Sequence, residues 1–174
     1  MTVKLHPDLA PLSWLVGTWV GVGVVGYPSM ESDIQVGQEL SIHSDGRPFL
    51  IHWSRTWELD DEGERVRPLA LESGFWRPRP NNEVELLLAH PTGFLESWFG
   101  KVTITGLENA AITGARVELK TDAILRTASA KVVDSGERIY GLVDGNIGWV
   151  YDMAAEGHTM KSHASFHLTK AMSP

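Results

Sequence analysis

The strongest constraint on this chain is its rhythm of turns. Ser44-Asp45-Gly46, Asp60-Asp61-Glu62-Gly63, Pro80-Asn81-Asn82, Pro91-Thr92-Gly93, Asp134-Ser135-Gly136 and Asp144-Gly145-Asn146 break it at intervals of roughly 10 to 15 residues. Between these breaks lie short runs rich in β-branched and aromatic residues, over 18–25, 34–43, 49–59, 66–77, 83–90, 94–105 and 115–121, then 123–133, 138–143, 147–153 and 160–170. Only residues 8–16, with Leu9, Leu12 and Leu15 at steps of three, look helical, and Pro7 and Pro11 keep that piece to one or two turns. About ten hairpin-linked strands without crossover helices predict an all-β fold, a closed antiparallel up-and-down barrel with a short N-terminal helix. An open sandwich is the structural alternative. Closure is favoured because it removes the edges that a long meander would expose.

At 174 residues the chain is expected to form one domain over 1–174, and 43% hydrophobic content is enough for a core. A formal charge of −7 repels phosphate backbones and anionic lipid, so neither nucleic acid nor a membrane surface is an expected partner. The absence of cysteine removes disulfides, thiolate-bound metal and thiol nucleophiles. The segment Met1-Thr2-Val3-Lys4-Leu5-His6-Pro7 lacks the apolar run of a secretory signal, and no stretch reaches the roughly 18 apolar residues of a membrane span. The cytoplasm is therefore the expected compartment. Seven tryptophans suit a core or the wall of a cavity, where their rings pack and their N–H groups find partners.

Several motifs admit a bland reading beside a chemical one. Gly21-Val22-Gly23-Val24-Val25-Gly26 has the spacing of a dinucleotide-binding loop, but Tyr27-Pro28-Ser29 follows where a helix would be needed to receive the pyrophosphate. Glycines that let another strand approach closely are the structural reading. His163 and His167 have the spacing of a zinc helix. On a strand that spacing spans roughly 13 Å, too far for two imidazoles to share an ion. Glu72, Glu83, Glu85 and Glu96 fall on predicted strands, where charged residues are solvent-facing by default, and the acidic run from Glu58 to Glu62 reads as a solvated hairpin tip.

The order of several segments resembles one family. Gly17-Thr18-Trp19-Val20-Gly21-Val22-Gly23 followed by Tyr27-Pro28 is similar to the GxWxGxG…YP opening of the nitrobindins, its motif residues being Gly17, Trp19, Gly21 and Gly23. Gly46-Arg47-Pro48-Phe49-Leu50, Glu72-Ser73-Gly74-Phe75-Trp76 and Ala89-His90-Pro91-Thr92-Gly93 resemble later family segments in the same order. This resemblance implies a ten-stranded barrel similar in shape to fatty-acid-binding proteins, holding one haem b per chain near an open end. It further implies binding of nitric oxide and isomerisation of peroxynitrite to nitrate, and a homodimer is compatible with it. By alignment of Met153 to His163 with the family's C-terminal motif, His163, and neither His158 nor His167, takes the axial place on iron. The resemblance further implies that Lys131 approaches the haem at a propionate, and Ser29 stands where the family commonly has a pocket threonine.

The chain departs from the pattern at Ala70, where relatives often carry a histidine, at Thr159 in place of proline, and at Ser29 itself. Alternation along 160–170 sets Met160, Ala164, Phe166 and Leu168 on one face and Lys161, His163, Ser165 and His167 on the other. An apolar-in rule points His163 outwards unless a bulge changes the phase. The rival reading is a carrier of a fatty acid or other small apolar molecule in which the histidines are structural.

Overall fold

The computed structural model describes residues 3–172; Met1 and Thr2, part of the segment read above for a signal, and Ser173 and Pro174 lie outside the described residues. A 3-10 helix, Pro7–Leu15, leads into ten strands: β1 (Gly17–Val25), β2 (Ile34–His43), β3 (Leu50–Leu59), β4 (Arg65–Pro78), β5 (Glu83–His90), β6 (Phe94–Glu108), β7 (Ala111–Arg126), β8 (Val133–Val143), β9 (Asn146–Ala155) and β10 (Lys161–Lys170). Each strand pairs antiparallel with its sequence neighbour, and β10 returns to pair with β1, closing the barrel. The closed barrel replaces the sandwich alternative. No helix among the described residues is long and apolar enough to cross a membrane.

The glycines of β1 explain how the barrel shuts. A Cβ on Gly21 would lie 2.0 Å from the His167 carbonyl oxygen, and one on Gly23 would lie 2.3 Å from that of Ser165. Their function is close approach of β10, the structural reading of the GxGxxG spacing. Beneath them Trp19 is buried and donates its indole N–H to the Leu15 carbonyl at 2.9 Å, tying the 3-10 helix to β1. Leu9, Leu12, Trp14 and Leu15 of that helix are buried, and it meets β4, β6 and β7, so it covers the end where the odd-numbered strands begin.

Two boundaries differ from the sequence reading. The runs 115–121 and 123–133 are not separate strands: β7 takes in the first and continues into the second as far as Arg126, with Asp122 left over where Ser97 pairs with Ala123 and Trp98 with Thr121. The expected turn at Asp134-Ser135-Gly136 instead lies within β8, and the chain reverses earlier, over 127–132. Gly136 is there for packing, since a Cβ would meet the Trp98 ring at 2.7 Å and Tyr151 at 2.8 Å. The reversal between β6 and β7 uses Asn109 and Ala110, both at positive φ, a turn without glycine that composition did not flag.

Candidate functional site

Opposite the 3-10 helix, the barrel end collects the connections 26–33, 60–64, 91–93, 127–132 and 156–160. His163 sits at this end, two residues into β10. The register between β10 and β9 slips there, Ser162 facing Asp152 and Ala164 facing Tyr151, so that His163 is the extra residue of a bulge. Beyond it Ala164, Phe166 and Leu168 point inward and Ser165 and His167 outward. The bulge breaks the alternation that would have sent His163 out with them. Its imidazole is half-buried, edge-on to Tyr27 at 5.8 Å and to Tyr151 at 5.3 Å. Nδ1 lies 2.9 Å from the Gly26 carbonyl oxygen. A carbonyl only accepts, so Nδ1 carries the proton and the lone pair is left on Nε2. Burial lowers the pKa of His163, against the raising effect of that carbonyl, and so favours the neutral ring.

Tyr27 fixes this arrangement from the other side. Its hydroxyl accepts from the Ala155 N–H at 2.8 Å and stands 3.1 and 3.2 Å from the carbonyl oxygens of Met153 and Ala155. One phenol thus clamps the end of β9 beside the bulge while its ring faces His163. Ser29 and Lys131 come from two different loops and meet at one carboxylate: Ser29 Oγ donates to Glu156 Oε2 at 2.6 Å, and Lys131 Nζ lies 3.6 Å from Glu156 Oε1. Lys131 is carried by the 127–132 turn, not by a strand. The motif residues Gly17, Trp19, Gly21 and Gly23 are on β1 and serve closure and packing.

Across the same end, β4 stands taller than β5, which pairs with it only from Ser73 to Pro78. A cavity of about 570 Å³ runs along the unpaired stretch, with Thr56, Trp57, Pro68, Leu69, Ala70 and His90 in its lining. Ala70 shares the register of inward-facing Thr56 and is nevertheless exposed, so the wall is open there. His163 is not part of that lining and stands on β10, at the other side of the mouth.

Below the mouth lies a polar layer, which corrects the reading of Glu72 and Glu96 as surface charges: both are buried. Arg138, 1% exposed, forks onto Glu72, Nη1 to Oε2 at 3.2 Å and Nη2 to Oε1 at 2.5 Å. Its guanidinium also lies over the rings of Tyr151, Trp98 and Trp149 at 4.5, 5.0 and 5.1 Å. Burial alone would push the Glu72 carboxyl up, but Arg138 holds it well below the usual carboxylate range. His52 accepts the Trp76 indole N–H on Nδ1, and its Nε2 is 3.4 Å from Glu72 without hydrogen-bond geometry. His90 Nε2 makes a very short contact with Glu96 Oε1. Burial pushes the Tyr140 hydroxyl, 3.1 Å from Arg138, up to about 12. The parity of Arg138 with Tyr140 and Leu142, and of Glu72 with Trp76, is the signal in the sequence that these charges face inward.

The mouth therefore brings together a half-buried imidazole with a free Nε2, a cavity wall lined by Leu69, Ala70 and Trp57 as well as Arg65, Arg67 and His90, and a lysine with a hydroxyl at the rim. The fold is that of a closed ten-stranded antiparallel β-barrel with one open, loop-lined end. Residues 8–170 match the family described as THAP4-like, heme-binding beta-barrel domain. A protein named peroxynitrite isomerase from Nocardioides sp. is 46% identical over 167 residues, 96% of this chain and 95% of its own length. A ferric nitrobindin-like protein from Kineococcus radiotolerans is 40% identical over 188 residues, 98% of this chain and 99% of its own. The crystal structure of Rv2717c from M. tuberculosis aligns with a TM-score of 0.88 at 29% identity, covering 97% of this chain and all of that one, 100%. The chain belongs to this family of nitrobindin-like, haem-binding β-barrels.

Proposed function

We propose that this protein holds one haem b at the open end of a barrel domain spanning 1–174, with His163 Nε2 as the iron's protein ligand, and that the loaded protein binds nitric oxide and isomerises peroxynitrite to nitrate in the cytoplasm. The observation that carries the reading is the His163 ring, whose Nδ1–H is committed to the Gly26 carbonyl, leaving Nε2 as a lone-pair donor. Bound haem would supply a Lewis-acidic iron with a position open to nitric oxide or to a peroxynitrite oxygen. The chain's own part is to hold and orient. The Gly26 carbonyl fixes the tautomer and raises the basicity of the ring, and Tyr27 and Tyr151 hold its plane edge-on. Lys131 and Ser29, gathered on Glu156, are the groups a propionate would meet at the rim, and Leu69 and Ala70 themselves add no acid or base to the cavity wall. No protein group is needed to move a proton in an isomerisation.

The fatty-acid carrier reading is weakened by Arg138. It is the one Lys or Arg side chain among the buried described residues, and Glu72 already occupies its fork. A fatty-acid carboxylate would have to displace an internal one. Titrating apo-protein with haemin and, separately, with a fluorescent fatty acid distinguishes the two. The haem reading predicts a saturable histidine-type Soret band and a nitrate-yielding acceleration of peroxynitrite decay; fatty-acid binding with no Soret change would overturn it.

A further inference from the structure

Glu156 is placed with more care than an exposed acid in a turn requires. It has φ of 52°, a left-handed conformation uncommon outside glycine, and Gly157 follows at 81°. Its N–H donates to the Val132 carbonyl at 3.0 Å, next to Lys131, while its two carboxylate oxygens reach Ser29 and Lys131 separately. One residue therefore ties three connections of the mouth: 26–33, 127–132 and 156–160. The Ser29 hydroxyl, and then Lys131, hold its carboxyl below the usual carboxylate range.

We infer that Glu156 is a built-in competitor for the carboxylate arm of the ligand: Ser29 and Lys131 form a carboxylate subsite, and Glu156 fills it until a propionate takes its place. This rests on the haem reading above. The chemistry is an exchange of like for like. A propionate entering the rim finds an ammonium and a hydroxyl already gathered by an anion of its own kind, and it releases Glu156 to solvent. The competition lowers affinity while keeping the loops assembled before loading. Because the Glu156 side chain is 30% exposed and that of Lys131 77% exposed, water screens the exchange and the effect on affinity is modest.

The test titrates full-chain apo-protein with haemin and with haemin dimethyl ester, whose propionates carry no charge, following the Soret band. Glu156→Gln should bind haemin about two- to fivefold more tightly, the range an exposed pair supports, and bind the diester no differently. Lys131→Ala should weaken haemin and leave the diester alone. Glu31→Gln, which removes an exposed charge from the same 26–33 loop, should change neither. The inference is overturned if Glu156→Gln binds haemin no more tightly, if it tightens the diester equally, or if Glu31→Gln has the same effect. The haem reading fails separately, through a wild-type chain that saturates with neither compound.

Discussion

Replacing Arg138 with Met removes the charge that makes the barrel interior tolerable for Glu72. The carboxylate is left buried with the Ser54 hydroxyl at 3.4 Å and a His52 that points poorly at it, and three rings lose a cation at 4.5 to 5.1 Å. Breaking a buried pair from one side costs about 3–5 kcal/mol, mainly through the orphaned charge. Removing both charges, as in Arg138→Met with Glu72→Leu, abolishes that term. The double variant should then lie within about 2 kcal/mol of wild type. Urea unfolding with unchanged m values measures the cycle. The pH dependence has a definite sign. Glu72 in the native barrel has a depressed pKa, so its stabilisation is present above the unfolded carboxylate value and is lost as pH falls through the folded one. In Arg138→Met, burial loses its main opponent and only His52 and His90 still act against it, so that pKa rises and the variant's deficit should shrink on acidification. A double variant as unstable as Arg138→Met, or a deficit that grows in acid, would refute the orphaned-charge argument.

Three other outcomes are expected. Leu12→Ala, at a buried position of the 3-10 helix, should cost about 2–5 kcal/mol in urea unfolding while leaving haemin affinity unchanged, because that helix covers the far end of the barrel. Tyr27→Phe strips a partner from the buried Ala155 N–H and should cost about 1–3 kcal/mol, with weaker haemin binding because the bulge beside β9 loosens. Haemin affinity followed against pH should persist below the ordinary histidine range and fall only as pH drops through the lowered pKa of His163, since a proton and iron compete for Nε2.

The barrel was legible because turn residues punctuate it and because alternating runs have nowhere else to bury their faces. What escaped was local. Asp122 conceals a bulge within β7, and Gly136 imitates a turn while serving a ring contact, so the sequence pattern puts Lys131 on a strand where a loop carries it. Glu72 and Glu96 run against expectation because a charge on a strand is normally outward, whereas both are buried. Their partners, Arg138 and His90, lie far along the chain or across a hairpin, and no local pattern pairs them. His163 is the sharpest case. The family motif points to it, alternation points it outward, and the slip between Ser162 and Ala164 leaves its ring half-buried against Tyr27 and Tyr151.

In the proposed haem protein, His163 Nε2 is the group that takes iron. The most direct measurement is the absorbance spectrum of His163→Gly reconstituted with haemin, recorded before and after addition of imidazole. The histidine-type Soret band should be lost, and it should return when free imidazole enters the vacated space beside Tyr27 and Tyr151. A variant whose spectrum and haemin affinity match wild type without imidazole would contradict it.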